Sequence, residues 1–160
     1  MKNYIGVKEI KARPMNRLDY NGYRGWELPS DENGEDEGYL VEYINGTGKN
    51  HQNHDGYVSW SPKNVFEEAY RETDGLPFGF AIEALKKGRK VTRLGWNGNG
   101  MFLYYVPAAR YKSVTDVAIS IGETVQYRGY LALKTVQGDI AMWSPSGSDA
   151  LADDWVILED

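Results

Sequence analysis

Cysteine is missing from the 160-residue chain. Its absence excludes disulfides, thiolate nucleophiles and Cys-ligated metals, and nothing requires an oxidising compartment. Histidine is nearly missing too: the two residues, His51 and His54, share one loop. No Gly-x-Ser-x-Gly elbow and no GxxxxGK phosphate loop occurs. Long apolar runs are absent, so no membrane-spanning segment is expected, and the opening "MKNYIGVKEIKARP" lacks the uninterrupted apolar core of a signal peptide. Positive charge is the scarcer sign, 18 Lys and Arg against 23 Asp and Glu, for a formal net charge of -5. Neutralising many phosphates needs a basic surface, so a long nucleic acid is disfavoured as partner, whereas a small ligand with one or two phosphates fits. The expectation is a cytoplasmic protein with no membrane partner.

Aromatic residues are plentiful, 13% of the chain with 12 Tyr and 5 Trp. They stack on ligand rings as well as pack in cores. The length suits one ordinary domain or two small ones. The stretch "RETDGLP" at 71–77 combines charge, Gly and Pro between two apolar-patterned regions, which predicts modules at 1–72 and 76–160. Upstream, "GYLVEYING" and "GYVSWSP" read as antiparallel strands joined by a long polar loop, followed by a helix over "SPKNVFEEAYR". Ser61 is expected to cap that helix and Pro62 to take its first position, with Val65, Phe66 and Ala69 on one face. Downstream, Phe78, Ala81, Ile82 and Leu85 fall at helical spacing before Lys86, Lys87 and Gly88. The segments "KVTRLGW", "MFLYYVP", "YLALKT", "IAMWSP" and "DWVILE" then read as short strands. The expected fold class is α+β, an antiparallel sheet with one short amphipathic helix per module. The halves share phrases, "GYLVEY" with "GYLALK" and "VSWSP" with "AMWSP", but at very different spacings, and short aromatic hairpins resemble one another easily.

Three stretches carry candidate chemistry. "HQNHD" at 51–55 has two histidines and an aspartate, yet a closed zinc site would need further ligands, so a solvated loop is expected and no metal. "DENGEDE" at 31–37 lacks the ligand spacing of a calcium loop and reads as an acidic surface loop. In "LGWNGNGMFLYYV" at 94–106, a tryptophan beside a Gly/Asn turn can offer a stacking face, close-approaching backbone N–H groups and amides able to read a base edge. Alternatively, Trp96, Trp143 and Trp155 are core aromatics of a small sheet; the residues themselves leave both readings open.

The ordered set "FGFAIEALKKGRKVTRLGWNGNGMFLYYVP", "YLALKT" and "GDIAMWSPSGSDALADDWVIL" resembles the second type of the phage Thoeris anti-defence family over residues 76–160. The shared features are a Phe-Gly helix start, a Gly-Trp-Asn-Gly turn followed by Met, and a Trp-to-Asp-Trp tail. The resemblance implies a non-enzymatic, homo-oligomeric sponge, typically tetrameric, that needs no cofactor. Its ligands would be cyclic ADP-ribose isomers made by TIR-domain immune proteins, with guanine-containing cyclic dinucleotides held at a separate site by some members. By motif, it implies a pocket with Phe78, Trp96, Asn97, Met101 and Asp154, joined by Arg93, Asn99, Ser148 and Asp149. Trp96 would stack on a ring, Asn97 reach ribose or phosphate, Asp154 accept from a base N–H or ribose hydroxyl, and Arg93 counter phosphate charge. One departure is "SGSD" where the family commonly has Ser-Gln-Thr-Asp, so Gly147 lacks an amide that could contact ligand. The first half resembles segments of small phage proteins of unknown role, which implies no activity. Two other classes stay open: a nucleotide-cleaving enzyme using the acids from Asp149 to Asp154, and a structural phage protein without a ligand.

Overall fold

The computed structural model describes residues 1–46 and 48–159. Contacts divide the chain into two compact units, Met1–Arg71 and Glu72–Asp160.

In the first unit, β1 (Lys11–Pro14), β2 (Gly38–Tyr43) and β3 (Tyr57–Pro62) form an antiparallel sheet in that order. The expected hairpin is β2–β3, in register at Leu40↔Trp60. Helix α1 (Arg17–Arg24) starts where the Asn16 side chain accepts the Asp19 N–H, and it stops at Gly25, whose φ of 70° suits a residue without Cβ. Its Tyr20 is buried with Leu40 and Val58, and Met15, Tyr23 and Trp60 close around them. The first residue of β2 is a glycine, Gly38, where a Cβ would lie 2.4 Å from the Trp60 ring.

Helix α2 (Lys63–Ala69) follows β3 directly and corrects two expectations. Ser61 pairs opposite Tyr39 inside β3, so it cannot cap the helix, and Pro62 itself takes the cap position with no side-chain hydrogen bond. None of its residues is fully buried; the Phe66 ring stacks 4.0 Å from Tyr39 and 5.0 Å from Tyr70, Glu67 accepts the Tyr39 hydroxyl at 3.0 Å, and Lys63 pairs with Glu37.

The second unit begins with α3 (Phe78–Lys86), which buries Ala81, Ala84 and Leu85 and ends at Gly88 with φ 86°. All five strands expected downstream form: β4 (Lys90–Arg93), β5 (Phe102–Val106), β8 (Tyr130–Lys134), β9 (Ile140–Trp143) and β10 (Trp155–Leu158). They make one sheet in the order β10-β4-β5-β8-β9, each neighbour antiparallel. Alternation along β4, β5 and β10 puts Val91, Leu103 and Trp155 against Leu76 and the apolar face of α3, and all four are buried. The stretch between β5 and β8 forms a separate two-stranded sheet, β6 (Ala109–Lys112) with β7 (Thr124–Tyr127), around the short helix α4 (Asp116–Ile121). A last four-residue helix, α5 (Gly147–Ala150), lies between β9 and β10.

The class is α+β with antiparallel sheets, as expected, and helices number more than one per module because α1, α4 and α5 join α2 and α3. The shared phrases have a structural counterpart. Leu40↔Trp60 in β2–β3 and Leu131↔Trp143 in β8–β9 have the same register, and Ser-Pro followed by a helix ends both hairpins.

Candidate functional site

Segments far apart in sequence meet around Arg93. The register Trp155↔Arg93 brings the end of β4 beside the start of β10, and α5 sits just upstream of that strand. Arg93 Nε donates to Asp154 Oδ1 at 2.7 Å, Nη2 donates to Asp154 Oδ2 at 3.3 Å, and Nη1 donates to Asp149 Oδ1 at 2.8 Å. The guanidinium is clamped between two carboxylates, 5.9 Å from the Trp155 ring centre. Its planar fork makes this possible, since one lysine ammonium could not serve both partners in these directions. The Gly95 N–H donates to Asp154 Oδ2 at 2.8 Å, and a Cβ on Gly95 would stand 2.7 Å from that same oxygen. Glycine is therefore what lets the turn close on the carboxylate.

Asp149 fills its acceptors. Oδ1 takes the Arg93 bond and the Trp96 indole N–H at 3.3 Å, while Oδ2 takes the Ser146 N–H at 3.1 Å and the Ser146 hydroxyl at 2.6 Å. Ser146 and Asp149 form a capping box at the start of α5. Burial pushes the Asp149 carboxyl up, but Ser146, Arg93 and the Trp96 N–H outweigh it and hold its pKa at about 2. Asp154 is also held below the usual carboxylate range, by Arg93 first and the Gly95 N–H in support, against burial. Both acids are ionised at neutral pH, and neither has a proton to donate.

The rings form a box. Trp96 meets Trp155 edge-on at 5.5 Å and Trp143 at 6.2 Å, and Phe78 lies 5.1 Å from Trp155 and 6.0 Å from Trp143. Trp155 is fully buried, whereas Trp96, Trp143 and Phe78 are half-buried. Trp96 thus packs on the core and keeps part of its ring at the surface.

The fold brings together Phe78, Arg93, Trp96, Asp149 and Asp154. Asn97 and Asn99 are exposed on the turn beside Trp96, and Met101 folds back beneath it, so close that a Cβ on Gly98 would meet its Sδ. Ser148 is exposed and touches the Ser146 hydroxyl at 2.9 Å. The polar atoms of Arg93 and Asp154 engage one another, whereas Asn97 and Asn99 are exposed. Sequence reasoning passed over Ser146, although Ser-x-x-Asp before a short helix carries the capping-box signal. It also passed over Gly95, whose role depends on a carboxylate brought up by β10.

The first unit has a polar cluster of its own. Glu42 is buried at 8% exposure and accepts the Asp55 and Gly56 N–H groups, each at 2.9 Å, and its other oxygen pairs with His54 Nδ1 at 2.9 Å. His54 Nε2 meets the Tyr23 hydroxyl at 2.9 Å, and the His51 ring stacks 4.4 Å from Tyr23. His54 staples its loop to Glu42 of β2, both histidines meet Tyr23 of α1, and among the described residues no group of three or more potential ligands converges on a metal position. The acids of "DENGEDE" are mostly paired at the surface: Glu32 with Arg17, Asp36 with Asn33 and Glu37 with Lys63. With Trp60 they line an open groove of about 630 Å³ in this unit.

A family model described as Tad2-like, the Thoeris anti-defense 2-like domain, matches residues 76–158. The chain belongs to this family. Thoeris anti-defense 2 from Bacillus phage SP01 is 37% identical over 86 residues, 52% of this chain and 94% of that protein. This Thoeris anti-defense 2-like domain carries all nine residues marked by sequence, together with Ser146 and Gly95, and family membership gives the chain a phage anti-defence role. The Tyr23, His54 and Glu42 cluster lies outside the Tad2-like match. No helix among the described residues is long and apolar enough to cross a membrane.

Proposed function

We propose that the second unit counters Thoeris by binding a cyclic nucleotide signal, a cyclic ADP-ribose isomer, and sequestering it uncleaved in the host cytoplasm. The observation that carries this reading is the Trp96 turn: a half-buried indole, fixed at its N–H by Asp149, with the exposed Asn97 and Asn99 amides beside it. Such an edge offers a purine ring a stacking partner, on the order of 1 to 3 kcal/mol, and its polar groups two amides. The state of the acids favours binding over cleavage. Asp149 and Asp154 are held ionised, which removes a general acid, and their oxygens are engaged by Arg93, Gly95, Trp96 and Ser146, which leaves them little freedom to act as base or nucleophile.

A homo-tetramer accompanies this reading. The arm β6–α4–β7 supports subunit contacts, since its apolar Val114, Val117 and Ile121 are 85%, 75% and 73% exposed, and the number of four follows the resemblance to the family. Guanine-containing cyclic dinucleotides are a second ligand class for the same function.

The test is incubation of the purified protein with a mixed pool of cyclic ADP-ribose isomers and cyclic dinucleotides, removal of free ligand, heat denaturation and mass spectrometry of what is released. One compound recovered intact at about one per site is the expected result. A new product supports a nucleotide-cleaving enzyme instead, and an empty release supports a structural role.

A further inference from the structure

The Trp96 indole is held by a device outside the turn itself. Between β4 and β5 the sheet pairs only at Val91↔Leu103, so no ladder fixes residues 94–101. The main chain of Trp96 has one local bond, to Arg93 O at 3.2 Å. The ring packs edge-on against Trp155 and Trp143, and its rotation within that packing is pinned by the one partner of its N–H, Asp149 Oδ1 at 3.3 Å. Asp149 is in turn held by Ser146, through the hydroxyl at 2.6 Å and the main-chain N–H at 3.1 Å, while its own N–H returns to the Ser146 hydroxyl at 3.1 Å. Its carbonyl also accepts the Trp155 indole N–H at 3.1 Å, so the Ser146 cap is linked through one residue to two rings of the box.

We propose that Ser146 and Asp149 are positioning residues that orient the Trp96 ring for ligand stacking and thereby set affinity without contacting the ligand through the Ser146 side chain. The inference deepens the ligand reading of this site and rests on it. Physically, a stacking ring gains little unless its plane is fixed before the ligand arrives, because ordering it afterwards costs part of the contact. Arg93 cannot fix the ring, having no direct bond to Trp96 side-chain atoms; Asp149 touches both. Ser146 is exposed, so its removal opens no core cavity.

The test is a double-mutant cycle on the full chain, read by titration with cyclic ADP-ribose isomers and by the indole N–H resonance of Trp96, assigned by its loss in Trp96→Phe. Ser146→Ala is expected to weaken binding by about five- to tenfold, the effect of one lost cap or hydrogen bond, to shift the Trp96 indole resonance and to leave the melting curve two-state. Ser146→Thr restores both readouts, since threonine supplies the same hydroxyl. In the Trp96→Phe background, Ser146→Ala is expected to change affinity little, because the linkage it supports is already gone. Full additivity of the two substitutions, or an unmoved indole resonance in Ser146→Ala, overturns the proposal. Absence of binding by the unsubstituted protein overturns the ligand reading instead, and the resonance then decides by itself whether Ser146 orients the ring.

Discussion

At the residue scale, the Arg93 clamp is the most exposed to perturbation. Its three side chains are 17%, 14% and 31% accessible, so the charges are partly desolvated and depend on one another. Arg93→Met leaves two carboxylates facing each other; a loss of roughly 2 to 4 kcal/mol in urea denaturation is expected for the second unit. Arg93→Lys is expected to recover less than half of it, since one ammonium cannot reproduce the fork. Gly95→Ala is expected to act in the same direction by driving Asp154 off the guanidinium, with a lowered melting temperature as the check. The acid dependence follows from the sign of the shifts. Asp149 falls from the ordinary 3.8 to about 2 on folding, so its contacts stabilise fully above about pH 4 and are lost as pH drops toward 2. Asp154 shifts in the same direction. Melting temperature is therefore expected to fall between about pH 4 and 2 in the intact protein and to fall less steeply there in Asp149→Asn.

At the element scale, α3 and the Glu42 staple hold the two sheets in different ways. Leu85 is fully buried between α3 and the five-stranded sheet. Leu85→Ala is expected to cost about 2 to 5 kcal/mol, measured by denaturant titration, because a rigid sheet cannot collapse into the space. Glu42 instead holds the 50–56 loop by accepting two main-chain N–H groups and pairing with His54. Glu42→Ala is expected to raise amide exchange at Asp55 and Gly56 at least tenfold while leaving β1–β2 protected. Unchanged exchange at those two amides would mean that the loop is held by Asn50, which bonds both the N–H and the carbonyl of Val58.

At the scale of the whole molecule, each unit has its own core, Tyr20, Leu40 and Val58 in one and Leu76, Ala81, Ala84, Leu85, Val91, Leu103 and Trp155 in the other. The larger second core predicts that residues 72–160 by themselves unfold in one cooperative transition by circular dichroism; a gradual, non-cooperative melt would show that the core needs residues outside that segment. The anti-defence family match falls on this segment.

Local chemistry made much of this legible. The β-branched and aromatic runs bounded by turn residues located all five strands of the second sheet and the β2–β3 hairpin, and the helical spacing of Phe78, Ala81, Ile82 and Leu85 located α3, because both reflect faces that must leave water. The motifs around Trp96 and Asp154 identified the family. The short polar elements were not legible: α1 rests on Tyr20 and one Asn16 cap, and α5 on a four-residue capping box, each too brief to leave a period. Ser61 misled because a residue can cap a helix only if it is not already paired in a strand, and β2 decides that. Sequence alone established β2, β3, the five strands of the second sheet, α3 and the family; only the tertiary structure decided the places of β1 and of β6–β7, that Asp149 and Asp154 share Arg93, and that Asp149 holds the Trp96 indole. That arrangement depends on β10 lying beside β4, a pairing across more than sixty residues of chain that no local propensity encodes.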